Sequence, residues 1–224
     1  MNDSKSYEIK TIDCRGVNCY LVKSAESYFL IDSGFAFRRK LVEKALAAAG
    51  CQPGNLKLIL ITHGDSDHTG NVAYLREKYG ALILLHAGES EVAERGDMIL
   101  SRKNRPLLMR IVLPFFKLAK PDRFKADLIA TDGQDLSENG LDATILHIPG
   151  HSMGSIGILT DAGDLFCGDL LINQKGKPAL NSLLDDPDEA RASYEKLSRY
   201  PIKMVYPGHG QPFPMVQLTT AEAR

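Results

Sequence analysis

Residues 56–70 read Leu-Lys-Leu-Ile-Leu-Ile-Thr-His-Gly-Asp-Ser-Asp-His-Thr-Gly: an apolar run passing without a break into four potential cation-binding side chains, His63, Asp65, Asp67 and His68. A run this short, rich in Leu and Ile, predicts a buried strand. The four polar groups then sit at its carboxyl end, and Thr69-Gly70-Asn71 followed by residues 72–79 predicts a helix start. Strand ends followed by helix starts are where open α/β sheets place their ligands. Two carboxylates packed this closely repel, and a divalent cation relieves that repulsion. Ser, Asp and Gly before a helix are also ordinary turn and capping residues, with Asp67 as the candidate cap, so this stretch alone leaves both readings open.

Three later stretches shift the balance: Pro149-Gly150-His151-Ser152-Met153-Gly154-Ser155, Leu165-Phe166-Cys167-Gly168-Asp169, and Tyr206-Pro207-Gly208-His209-Gly210. Each sets one His or Asp beside glycine directly after a strand-like run. The ordered set resembles the metallo-β-lactamase superfamily over residues 17–212, nearly the whole chain. Asn18-Cys19-Tyr20-Leu21 and Leu30-Ile31-Asp32-Ser33-Gly34 resemble that family's opening strands, with Asp32 as a turn-forming carboxylate behind the site.

The remaining elements follow from periodicity. Alternating apolar residues predict antiparallel strands at 9–12, 17–22 and 28–31, the last two joined by a hairpin turn at 23–27. Residues 38–49 carry Leu41, Val42, Ala45, Leu46 and Ala49 at helical spacing, closed by Gly50. Residues 81–85 form a strand ending in His86, a hydrogen-bonded structural residue or, as the alternative, one lining the site. Strands follow at 143–148, 155–159, 164–167 and 203–206, with a helix at 188–200 begun by Asp186-Pro187. Two halves of strands then helix argue for two sheets faced by outer helices. Periodicity alone supports only α/β or α+β; the αββα sandwich is what the resemblance implies.

A chain of 224 residues with 44% apolar and 25% charged residues reads as one globular domain, residues 1–224. Its formal net charge of -1 argues against a nucleic-acid partner. The polar start and the lack of a membrane-length apolar run predict a cytoplasmic location without stable membrane insertion. Cys14, Cys19, Cys51 and Cys167 lack metal-type spacing and read as reduced thiols. Within residues 95–127, prolines at 106, 114 and 121 interrupt apolar residues interleaved with Arg102, Lys103, Arg105, Arg110, Lys117 and Lys120. This predicts a basic, apolar helical insertion capping the site and favouring an anionic, partly apolar small-molecule substrate.

The resemblance implies a two-metal site. His63 and His151 lie on first-metal positions, Asp67, His68 and His209 on second-metal positions, and Asp169 on the bridging one. Two dications about 3.5–4 Å apart require bridging anions to offset their repulsion. The implied cofactors are two divalent ions, zinc first, with iron or manganese as alternatives. The family pattern is His-x-His-x-Asp-His, whereas this chain has Asp65 at the second histidine position. The shorter aspartate reaches the first metal only if the loop shifts, and its hard oxygen favours iron or manganese more than nitrogen would. The implied activity is hydrolysis of an ester, thioester or lactone by metal-bound hydroxide, with Asp67 and Asp169 as catalytic carboxylates. The alternatives are a di-iron redox protein of flavodiiron-like type, and a phosphodiesterase.

Overall fold

The computed structural model describes residues 7–97 and 123–218. The first sheet has six strands in sequence order: β1 (Tyr7–Asp13), β2 (Asn18–Ser24), β3 (Ser27–Ile31), β4 (Leu56–Leu60), β5 (Leu82–His86) and β6 (Leu128–Ala130). β1 to β3 are an antiparallel meander, while β3 to β6 run parallel, with α1 (Arg39–Ala48) between β3 and β4, α3 (Val72–Tyr79) between β4 and β5, and α4 (Ser90–Arg95) between β5 and β6. The second sheet is ordered β13 (Phe213–Pro214), β12 (Met204–Pro207), β9 (Asp164–Gly168), β8 (Ile156–Thr160), β7 (Ala143–His147).

Strand alternation sorts the side chains into layers. Tyr20, Val22, Phe29, Ile31, Leu58 and Leu60 point between the sheets and pack against Ile145, Ile156, Ile158 and Phe166. Their neighbours Leu21, Leu30 and Ile59 point outward, onto Val42 and Leu46 of α1 and Val72 and Leu75 of α3. On the far side, Leu146, Leu159, Leu165 and Val205 take Ala190 and Leu197 from α5 (Pro187–Leu197). Asp186 caps α5 by accepting from the Glu189 N–H, with Pro187 in the first turn. The architecture is the expected αββα sandwich. Phe166 sits at its centre, 5.2 Å from the Tyr20 ring and 4.9 Å from Tyr206. Phe166→Ala is expected to cost about 3–5 kcal/mol, read as a lower denaturant midpoint with an unchanged slope.

Besides the short elements β6, β13 and Ser90–Arg95, two features near the site went unforeseen. β10 (Leu171–Gln174) and β11 (Lys177–Leu180) form a separate hairpin turning at Lys175 and Gly176, both with positive φ. The turn after β4 also differs from a simple capped helix. A one-turn helix, α2 (Ser66–Thr69), precedes α3, and Asp65 at its N-cap position makes no capping bond, nor does Asp67 occupy a cap. Most of the basic, apolar insertion, residues 98–122, lies outside the described residues. No helix among the described residues is long and apolar enough to cross a membrane.

Candidate metal centre

The strand ends that carry His63, Asp169 and His209 meet at one edge of the sandwich, as do Asp32 after β3 and His151 after β7. Backbone bonds close this edge across the two sheets. The Ile156 N–H donates to the Thr62 carbonyl at 2.9 Å, and the Asn18 N–H to the Gly208 carbonyl at 2.8 Å. Ligand-type atoms gather in overlapping clusters: His63, Asp65 and His151; His63, His68 and Asp169; and Asp67, His68 and His209.

Asp65 is the position where reach was in question. Its Oδ2 lies 3.2 Å from His151 Nε2 and 3.6 Å from His63 Nε2, so the carboxylate already stands between the two imidazoles. Asp169 lies between the groups: Oδ1 is 3.4 Å from His68 Nε2, and Oδ2 is 3.1 Å from His209 Nε2 and 3.8 Å from His151 Nε2. Asp67 Oδ2 is 3.4 Å from His209 Nε2 and 3.8 Å from His68 Nε2. The fold thus brings all seven sequence-predicted residues into one cleft.

Hydrogen bonds fix the imidazole tautomers. Asp32, buried, accepts from the Thr62 N–H, from the Thr62 hydroxyl and from His68 Nδ1, the last at 2.8 Å. The Thr62 hydroxyl has one proton and gives it to Asp32, so at 3.0 Å it accepts from His63 Nδ1. His151 Nδ1 donates to the Leu183 carbonyl at 2.7 Å, and His209 Nδ1 donates to the Gly16 carbonyl. In the neutral imidazoles every Nε2 is therefore left with its lone pair facing the carboxylates, the orientation metal-binding histidines adopt. His63 Nε2, His68 Nε2 and Asp169 Oδ1 are buried without a hydrogen-bond partner. Such orphans are costly. A cation would satisfy all three, and these donors fit one.

The electrostatics ask for the same thing. Burial opposes charge at His68, yet Asp169, Asp32 and Asp67 hold it well above the ordinary imidazole range. Burial likewise opposes charge at His209, but hydrogen bonds to Asp169 and Asp67 push it up to about 10. Asp169 lies well below the usual carboxylate range: burial works against its charge, and His68 and His209 outweigh burial. The carboxylates draw positive charge into the cleft, so a bound dication would displace protons.

His86 and His147 stand outside the clusters, stacked with ring centroids 4.3 Å apart. The Gly88 N–H donates to His86 Nδ1, and His147 Nε2 donates to the Met153 carbonyl. Both act as struts for neighbouring loops. Asn181 Nδ2, which donates to the Asp169 carbonyl, and the Leu183 carbonyl were not foreseen, because the β10–β11 hairpin leading to them was missed. The four cysteines are buried free thiols.

Comparison with known proteins gives the family. The family model described as the metallo-beta-lactamase superfamily matches residues 12–209. Hydroxyacylglutathione hydrolase GloC of Haemophilus influenzae is 33% identical over 118 residues, covering 52% of this chain and 50% of that protein. The chain thus spans about half the length of that relative. Metallo-beta-lactamase domain-containing protein 1 of Rattus norvegicus is 25% identical over 205 residues, covering 90% of this chain and 69% of that one. The crystal structure of TTHA1623 in a di-iron-bound form superposes with a TM-score of 0.68 at 27% identity, covering 93% of this chain and 92% of that one. The chain belongs to the metallo-beta-lactamase superfamily.

Proposed function

We propose that this chain is a metal-dependent hydrolase of carbonyl esters, with thioesters as its first substrate class. His63, Asp65 and His151 would hold one divalent ion and Asp67, His68 and His209 a second, with Asp169 within reach of both. The observation that carries the metal reading is the set of buried atoms His63 Nε2, His68 Nε2 and Asp169 Oδ1, which face one another and Asp65 without a hydrogen bond. The thioester reading draws on the hydroxyacylglutathione hydrolase relatives. A bound dication supplies Lewis acidity toward a carbonyl oxygen and makes water a nucleophile at neutral pH. The chain's own groups do the rest. Asp32, Thr62, Leu183 and Gly16 fix the imidazoles. Asp67, whose side chain is 18% exposed, would accept a hydrogen bond from an attacking water and orient it. Asp169, almost wholly buried, holds the two donor groups in register.

Metal-stripped protein reloaded with zinc, manganese or ferrous iron, then offered a hydroxyacylglutathione thioester, a neutral ester, a lactone and a phosphodiester, tests this. Thioester turnover that requires metal supports the reading; turnover of the phosphodiester alone overturns it. The expected preference for an anionic, partly apolar substrate belongs to the basic stretch outside the described residues, and a glutathione thioester has that chemistry. The di-iron-bound form of the 27% identical TTHA1623, together with the oxygen donor of Asp65, favours a second reading as an iron redox protein. Reductant-dependent oxygen consumption by the iron-loaded protein, without hydrolysis, would establish it.

Asp65→His is expected to shift metal preference toward zinc, because a softer nitrogen replaces a hard oxygen between His63 and His151. Competition of zinc, manganese and ferrous iron for the stripped wild type and variant reads this. Identical selectivity would mean that Asp65 is not a ligand.

A further inference from the structure

Glu89, 2% exposed, ends the 3-10 turn Ala87–Glu89 that follows β5, a stretch that no ligand motif includes. Its Oε2 accepts from the Gly64 N–H at 2.9 Å. Its Oε1 accepts from the Ser152 hydroxyl at 2.7 Å and from the Gly154 N–H at 2.8 Å. Gly64 is the residue between His63 and Asp65, while Ser152 directly follows His151. One buried carboxylate therefore ties together the two loops that present His63, Asp65 and His151, and it touches neither Asp67, His68 nor His209 among its hydrogen bonds.

The packing around it is as specific as the bonding. A Cβ at Gly64 would meet Glu89 Oε2 at 2.6 Å, and a Cβ at Gly154 would meet Glu89 Cγ at 2.7 Å. Both loops carry glycine where the glutamate presses against them. The stacked pair of His86 and His147 joins the Glu89 segment to the His151 loop from outside, since His86 accepts from Gly88 and His147 donates to Met153. A surface glutamate needs none of this, and a buried carboxylate with one partner would be costly. Three donors from two ligand loops make Glu89 a rigid link.

We propose that Glu89 is the positioning residue of the first cluster, setting the distance between the His63–Asp65 loop and the His151 loop, and so the affinity of that cluster alone. The proposal rests on the metal-centre reading above. It also accounts for how an aspartate serves where a longer side chain is usual: the Gly64 peptide is held against Glu89, and this fixes where Asp65 begins. Groups that orient metal ligands from behind are worth about 10–100-fold in metal affinity.

Zinc titration of stripped protein, with bound metal counted by mass spectrometry after dialysis, tests this. In Glu89→Ala one ion per chain is expected to bind as in wild type and the other about 10–100-fold more weakly. Glu89→Gln keeps the size of the side chain and one carbonyl oxygen for Ser152 and Gly154 but turns an amide NH2 toward the Gly64 N–H, so it should recover only part of the loss, whereas a packing role alone would predict full recovery. If Glu89→Ala does not fold, Ser152→Ala removes a single bond of the three and should show a smaller loss of the same kind. Background variants assign the site: with His209→Ala the remaining ion should depend on Glu89, and with His151→Ala it should not. Equal weakening of both ions, or unchanged binding of both, overturns the role of Glu89 while leaving the metal centre standing. A wild type that binds no metal overturns both.

Discussion

Asp169→Asn is expected to yield a folded protein that has lost turnover and most of its bound metal. Asparagine keeps the size of aspartate and one carbonyl oxygen, so packing and the bond from Asn181 to the Asp169 carbonyl survive. The charge does not. In the wild type both carboxylate oxygens face imidazole nitrogens, Oδ1 toward His68 and Oδ2 toward His209 and His151. No other described carboxylate reaches His68, His151 and His209 together. Removing one charge from a buried, paired set typically costs about 3–5 kcal/mol, roughly 10²–10⁴-fold in affinity. Metal content per chain and turnover of the best thioester should fall together while circular dichroism stays native. Two ions per chain and undiminished turnover would dispose of the two-metal reading.

Gly208→Ala should be nearly as damaging, though it adds only a methyl group. The added Cβ would lie 2.2 Å from Asp169 Oδ1 and 2.7 Å from His68 Cε1. Backbone strain is not the issue, because Gly208 lacks the positive φ found at Gly210. Nor can the chain back away easily: the Gly208 N–H donates to the Gly168 carbonyl and its own carbonyl accepts from Asn18, each at 2.8 Å. Asp169 and His68 must therefore yield. A displacement near 1 Å at reacting groups can cost on the order of 10²-fold in rate. Turnover and metal content of Gly208→Ala, compared with its thermal midpoint, separate site damage from unfolding. Wild-type metal content in this variant would show that the two ligands have slack that the packing denies.

Where local chemistry and long-range structure coincide, the sequence was readable. The passage from residues 56–61 into His63, Asp65, Asp67 and His68 is β4 and the turn after it, and Asp186-Pro187 opens α5 as expected. The face-to-face αββα sandwich needed the family resemblance, since alternation says that a strand is half buried but not which sheet faces it. The β10–β11 hairpin escaped because its turn residues are Lys175-Gly176 and polar Asn173 and Gln174 dilute the apolar pattern. Glu89 escaped for another reason. In His86-Ala87-Gly88-Glu89 it looks like any surface glutamate, and its partners lie 25, 63 and 65 residues away along the chain. Helical or strand periodicity carries no information at such separations.

Each of the two donor groups mixes the halves of the sandwich: His63 and Asp65 come from the first sheet and His151 from the second, while Asp67 and His68 come from the first and His209 from the second. Neither half owns a complete group, so an unfolded or half-assembled chain competes for the ion with little more than the local set His63, Asp65, Asp67 and His68. Under the proposed reading a cation is a clasp between the sheets, and a ligand that binds only the native state adds about 1.4 kcal/mol for every tenfold rise in its free concentration above the dissociation constant. The durability of this fold then becomes a gauge of how much metal its surroundings supply.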